Sequence, residues 1–154
     1  MEIHEARFPE HLEVTREIFR EYAESLNIDL TFQEFASELA VLPGKYAAPA
    51  GRILLAWDEA QVIGCVAMRP LEGDACEMKR LYVRPSGRGM QVGKRLARVL
   101  CHVAQEGGYA RIRLDTLPSM GVAQRIYRSL GFKQIPAYAF NPIEGTQYLE
   151  LTLT

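Results

Sequence analysis

Apolar and polar positions follow two periods along this chain, and the switches between them mark out its elements. Glu2 to Arg7 reads as an opening strand. Pro9 suits a first helical position, and Leu12, Ile18, Phe19, Tyr22 and Leu26 then recur at helical spacing. Glu10 and Glu13 stand where a helix dipole favours negative charge. A second, shorter helix is expected from Thr31 to Leu42, with Thr31 as cap, Glu34 completing a capping box and Leu42-Pro43-Gly44 as the stop. Lys45 to Gly51 reads as loop. Arg52–Trp57 and Gln61–Arg69 then form a hairpin pattern, and a third strand runs over Ala75–Val83 until Arg84-Pro85-Ser86-Gly87 breaks it.

Helical period returns from about Gly89 to Gln105, where Val92, Leu96, Val99, Leu100 and Val103 make one stripe closed by Gly107-Gly108. Arg111–Asp115 alternates as a strand. Pro118 opens a helix with Val122, Ala123, Ile126, Tyr127 and Leu130 on its apolar face, and Gly131 closes it. Two strands, Gln134–Tyr138 and Thr146–Leu153, flank an Asn141-Pro142 loop. No repeat or linker interrupts this order. It predicts one mixed α/β domain over residues 1–154, with strand–helix–strand in the middle and a hairpin at the end.

Composition narrows the class. With 154 residues and 48% hydrophobic content the chain can build one core. A net charge of −1 argues against nucleic acid or an anionic membrane as partner, and no aromatic ladder accompanies the basic residues. No stretch approaches the roughly 18 apolar residues of a membrane span. Cys65, Cys76 and Cys101 have neither CxxC spacing nor a partnering histidine pair, so reduced thiols and a cytoplasmic location are expected, with no zinc site. The first residues lack the basic and apolar regions of a signal peptide.

Charge is unevenly placed. Residues 1–40 hold ten acids and only Arg7, Arg16 and Arg20 as basic residues. From Met78 to Gln105 there is no acid, but there are Lys79, Arg80, Arg84, Arg88, Lys94, Arg95 and Arg98. Such an island suits one local anion, or a solvated basic face. Within it, a strand end, a loop with Gly87 and Gly89, and a helix start with Gly93 follow in succession. Unpaired amides at a helix start bind phosphate, and glycine lets the backbone approach a ligand. Lys94, Arg95 and Arg98 sit in the first half of that helix, where the dipole disfavours cations by roughly 0.3–1 kcal/mol each; a bound polyphosphate would reverse that sign. A P-loop is excluded because Gly93-Lys94 is followed by Arg95, and the glycine spacing does not fit a dinucleotide fingerprint.

The segment Val83-Arg84-Pro85 followed by Arg88-Gly89-Met90-Gln91-Val92-Gly93 resembles motif A of the GNAT superfamily of N-acetyltransferases, with Gln91 in place of the middle glycine. A later Ala-x-x-x-Tyr-x-x-x-Gly-Phe signature is matched by Ala123, Tyr127, Gly131 and Phe132, with Met120 where relatives often carry asparagine. The resemblance implies a central, mostly antiparallel twisted sheet with a splayed parallel strand pair, flanked by about four helices. It implies acetyl-CoA as acyl donor. The CoA pyrophosphate would lie on the loop Arg88, Gly89, Met90, Gln91, Val92, Gly93 and Lys94, and its pantetheine beside Leu81, Tyr82 and Val83. Met120 would stand near the cofactor and the thioester at the level of Tyr127.

Acetyl transfer to an amine needs a deprotonated amine, donors for the oxyanion and a proton for the departing thiolate. Glu77 stands where relatives that use a glutamate base carry it, and its apolar neighbours Ala75, Cys76 and Met78 lead us to expect a raised pKa. A strand glutamate that faces water or pairs with Arg113 or Lys79 is the alternative. Tyr127 is the candidate acid, although its place on an apolar stripe would also suit packing alone. Cys76 has no histidine near it in sequence, and relatives mostly transfer the acetyl group directly, in a ternary complex. By the resemblance, Leu26–Tyr46 and Tyr138–Gln147 would shape a pocket for a small-molecule or peptide amine. Asp29, Glu34 and Glu38 could steer a cationic amine or simply keep a helix soluble. A non-catalytic acyl-CoA sensor is the rival reading, and the C-terminal strands could support a homodimer.

Overall fold

Val62 to Met68 is an unbroken run of small and apolar residues, and it becomes the buried stretch of β3 (Gln61–Pro70), closed over on both faces. The computed structural model describes residues 1–30 and 34–153. In it β3 lies between β2 (Arg52–Asp58) and β4 (Ala75–Val83), inside a seven-stranded sheet of order β1-β2-β3-β4-β5-β7-β6. Here β1 is Glu2–Glu5, β5 Arg111–Thr116, β6 Lys133–Ile135 and β7 Gln147–Thr152. Neighbouring strands are antiparallel except for β4 and β5.

Helices cover both faces. On one face α3 (Val92–Glu106) buries Val92, Leu96, Leu100 and Ala104, four residues apart, against Met68, Cys76 and Ile112. Truncating fully buried Leu100 to alanine would cost about 2–5 kcal/mol. Helix α4 (Gly121–Ser129) joins this core through Tyr127. On the other face α1 (Leu12–Leu26) places Ile18 and Phe19 against Leu55, Cys65 and Ala67, beside the short α2 (Phe35–Ala40). This is the mixed α/β fold expected, with four α-helices among the described residues.

Two irregularities interrupt the middle of the sheet. The β4–β5 ladder contains only Ala75↔Arg111, Cys76↔Ile112 and Glu77↔Arg113, although β4 runs on to Val83 and β5 to Thr116. Between β3 and β4, Cys65 faces Tyr82 while Ala67 faces Lys79, so β4 carries one extra residue and bulges. Arg80 lies in that bulge with φ 66°, a left-handed conformation that arginine rarely adopts.

Several boundaries differ from expectation. Helix α3 starts at Val92 rather than Gly89, because Gln91 takes a left-handed conformation (φ 55°) before it. Pro118 lies in a turn closed by the Met120 amide on the Leu117 carbonyl (3.0 Å), which delays α4 to Gly121. The strand expected over Gln134–Tyr138 is only Lys133–Ile135, since Tyr138 leaves the sheet to hydrogen-bond elsewhere. The expected cap Thr31 lies outside the described residues. Glu34 stands before α2 with φ 53° and makes no side-chain capping bond, so no capping box forms through it.

Candidate active site

Where the β4–β5 ladder stops, a cleft of about 930 Å³ opens, walled by both strands and by α1, α3 and α4. One wall is the bulged end of β4 (Lys79 to Val83), continued by Gly87, Arg88 and Gly89. The start of α3 follows with Gln91, Val92 and Gly93, and the facing wall carries Asp115, Met120, Ala123, Arg125 and Tyr127. Tyr22, Ser25 and Leu26 of α1 close one end.

The residues expected to hold the pyrophosphate lie together around the start of α3. The helix-start amides of Val92, Gly93 and Lys94 find no acceptor among the described residues. A Cβ on Gly93 would come within 3.2 Å of the Ile126 side chain, so glycine there keeps α3 close to α4. Gly89 has φ 91°, open to glycine at little cost. Gln91 holds a left-handed conformation without glycine's freedom. Leu81, Tyr82, Val83, Arg88, Gly89, Gln91, Val92, Gly93 and Met120 all line the cleft, whereas the side chains of Met90 and Lys94 do not. Met90 is exposed to solvent.

The basic island is divided. Arg80 is buried against Glu38 of α2, and Arg84 donates to Glu21 of α1 at 2.7 and 2.9 Å. Lys79 and Arg88 face the cleft instead. Glu38 also accepts from Tyr46 (2.8 Å) and lies 3.2 Å from Lys45, so it braces the fold rather than facing an incoming amine.

Of the two candidate catalytic groups, Tyr127 lines the cleft and is 5% exposed. Its hydroxyl has no hydrogen-bond partner among the described residues, and burial pushes its pKa well above the ordinary 10.0. It stays a proton donor throughout the working range. Glu77 does not line the cleft and is 3% exposed. Its Oε1 accepts from Arg69 Nε at 2.9 Å and its Oε2 from the Tyr138 hydroxyl at 2.7 Å, with Lys79 Nζ 3.8 Å away. Burial alone would raise its pKa, but Lys79, the Tyr138 hydroxyl and Arg69 outweigh it and hold the carboxyl below 4.5. The raised pKa expected from its apolar neighbours is therefore wrong in sign. Of the alternative partners expected for Glu77, Arg113 instead binds Glu150 at 2.7 Å, whereas Lys79 does pair with it at 3.8 Å.

Sequence reasoning missed Asp115, whose Oδ2 accepts from Asn141 at 3.1 Å, as well as Arg125 and, on α1, Tyr22 and Ser25. Arg125 could have been found from its place two residues after Ala123 in the later signature. All three cysteines are buried. Burial pushes the thiols of Cys76 and Cys101 up to about 12 and about 11, and that of Cys65 higher still. No group of three His, Cys, Asp or Glu that could hold a metal occurs among the described residues. No helix there is long and apolar enough to cross a membrane.

Comparison with known proteins places this geometry. The model of the acetyltransferase (GNAT) family matches residues 12–132. An uncharacterized N-acetyltransferase of Schizosaccharomyces pombe is 39% identical over 150 residues, covering 96% of this chain and 92% of that protein. The crystal structure of a GNAT-family acetyltransferase from Staphylococcus aureus shares the fold, with a TM-score of 0.81 at 21% identity over 99% of both chains. An acetyltransferase from Bacillus subtilis, solved in complex with CoA, matches with a TM-score of 0.59 at 19% identity over 68% of this chain and 78% of that one. The chain belongs to the GNAT family and is an acetyl-CoA-dependent N-acetyltransferase.

Proposed function

We propose that the protein moves the acetyl group of acetyl-CoA directly onto the nitrogen of a small-molecule primary amine, with both substrates bound together. The observation that carries this reading is the single cleft between β4 and β5, which unites phosphate-binding amides, free β4 backbone and the Tyr127 hydroxyl. Arg88 and the helix-start amides hold the pyrophosphate. The backbone of Leu81, Tyr82 and Val83 orients the pantetheine arm, and amides of the bulged strand donate to the reacting carbonyl oxygen. Tyr127 gives its proton to the departing sulfur. Direct transfer is favoured because all three thiols are buried and held protonated.

The amine proton is drawn toward Glu77, which is ionised at neutral pH. Since Glu77 stands behind the cleft wall, the proton passes through water rather than by contact. Cytoplasmic location suits the reduced thiols, no metal is required, and the edge strand β6 offers a surface for a homodimer.

Calorimetric titration with acetyl-CoA, on wild type and Arg88→Glu, tests the reading. Micromolar binding that collapses in the variant, together with acetylation of an amine in a screen, is the expected result. Absence of binding by folded protein would overturn it.

A further inference from the structure

The Lys79 side chain is 10% exposed and lines the cleft, yet its ammonium makes no hydrogen bond among the described residues. Its nearest carboxylate oxygen, Glu77 Oε1, is 3.8 Å away, too far for a hydrogen bond, and that oxygen already accepts from Arg69. The surrounding carboxylates are engaged elsewhere. Glu77 Oε2 takes the Tyr138 hydroxyl, Glu38 takes Arg80 and Tyr46, and Asp115 takes Asn141. The ammonium therefore keeps donors free for a group in the cleft, with only the Glu77 carboxylate paired to it among the described residues. Lys79 is one of the residues that line the cleft, so a ligand there meets it.

The position of Lys79 says which substrate can fill that place. In β4, Cys76 and Met78 face the core under α3, whereas Tyr82, like Ala67 of β3, belongs to the α1 face. Lys79 pairs across the ladder with Ala67 and points away from Met78. It therefore lies on the α1 and α2 face, opposite the face on which α3 presents its helix-start amides.

We propose that Lys79 is the receptor for a carboxylate carried by the acceptor, so that the substrate is a carboxylate-bearing primary amine of the amino-acid type. This rests on the N-acetyltransferase reading above and narrows its acceptor. Lys79 binds the carboxylate, and the amine is thereby held toward the β4–β5 opening. One ammonium, with Glu77 and Asp115 close by, balances a single negative charge better than a phosphate dianion.

The test compares free amino acids with their carboxamides as acceptors, for wild type and Lys79→Met, following CoA release and measuring acetyl-CoA affinity separately. Wild type should prefer acids over amides in kcat/KM by roughly tenfold to a hundredfold, the usual worth of one charge-assisted hydrogen bond. Lys79→Met should erase that preference, chiefly through KM, and leave acetyl-CoA affinity unchanged. Lys79→Arg should restore part of it. Equal use of acids and amides by wild type would overturn the proposal. So would failure of acetyl-CoA-binding protein to acetylate any free amino acid, or an equal loss on both series in Lys79→Met. Acetylation of a polyamine or peptide alone would keep the N-acetyltransferase reading and sink this one; lack of acetyl-CoA binding would sink both.

Discussion

Both carboxylate oxygens of Glu38 on α2 engage the guanidinium of Arg80 in the β4 bulge, Oε2 with Nε at 2.9 Å and Oε1 with Nη2 at 2.8 Å. The pair ties the helix beside the expected acceptor pocket to the one residue of β4 with a left-handed backbone. Arg80 also stacks over the rings of Tyr22 and Phe35, at 5.5 and 5.2 Å. Fork-on-fork contact of this kind fixes orientation as well as charge.

Glu38→Gln should therefore destabilise the protein by about 3–5 kcal/mol at pH 7, because it takes the Glu38 carboxylate away from a buried guanidinium. Burial opposes ionisation of Glu38, but Arg80, Lys45 and Tyr46 outweigh it and hold the folded pKa below 4.5. The stabilisation is then fully present above pH 4.5 and is lost as pH falls through the lowered folded value. Urea unfolding at pH 7 and pH 3 should show a large gap between wild type and variant at pH 7 and a narrower one at pH 3.

Glu77→Gln should lower kcat by about 10²–10⁴, within the usual range for a general base, with little change in acetyl-CoA affinity. Because the Glu77 pKa is lowered, its acid limb in the pH–rate profile falls below 4.5, not near neutrality. A rise in rate between about pH 6 and 9 would then report the acceptor amine rather than the enzyme. A wild-type limb near pH 6 that disappears in Glu77→Gln would show that the carboxylate is less ionised than its partners imply.

The difference between what the chain discloses and what only the fold reveals is clear at these two glutamates. That Arg88, Gly89 and Gly93 meet beside the start of α3 was legible, because glycines at fixed local spacing mark a strand–loop–helix junction. Tyr127 was legible through a pattern contained within one helix. The fate of Glu77, by contrast, is shared between Lys79, its neighbour in β4, and Tyr138, 61 residues further on, and that of Glu38 rests on Arg80, 42 residues away. The apolar neighbours of Glu77 in sequence say that it is buried; the sign of its pKa shift depends on Lys79 in the same strand together with Tyr138 and Arg69 from other elements. The bulge was illegible too, since nothing in Lys79-Arg80-Leu81 marks an arginine for a left-handed conformation. The basic island was visible, but its division into braces (Arg80, Arg84) and cleft-facing cations (Lys79, Arg88) required the positions of α1 and α2.

Gln91 offers a test of the loop that is separate from charge. It occupies a left-handed position before α3, where glycine would be unstrained, and its side chain makes no capping bond. Gln91→Gly should therefore keep acetyl-CoA affinity within about twofold and change stability by less than about 1 kcal/mol, since relief of strain offsets the added freedom of the unfolded chain. Arg88→Glu should lower affinity by about tenfold or more, as expected when a cation beside a phosphate becomes an anion. Calorimetry on both proteins checks the pair. Loss of affinity in Gln91→Gly would mean that the glutamine side chain itself contacts the ligand.

The three thiols carry the last prediction. Cys76 adjoins Glu77 in sequence, which invites a two-step route through an acetylated cysteine. Cys76 is fully buried, however, and points into the core with Leu100 and Ile112 rather than into the cleft. Burial pushes its pKa up to about 12, so the thiolate is scarce at neutral pH. A folded sample treated with a maleimide should keep its acetyltransferase activity and show no modified cysteine by mass spectrometry, whereas protein unfolded in guanidinium should label at all three. Cys76→Ala should retain wild-type kcat apart from a modest loss of stability. Radiolabelled acetyl-CoA incubated without acceptor should leave no acetyl group on the native chain, and stable labelling of Cys76 would overturn direct transfer.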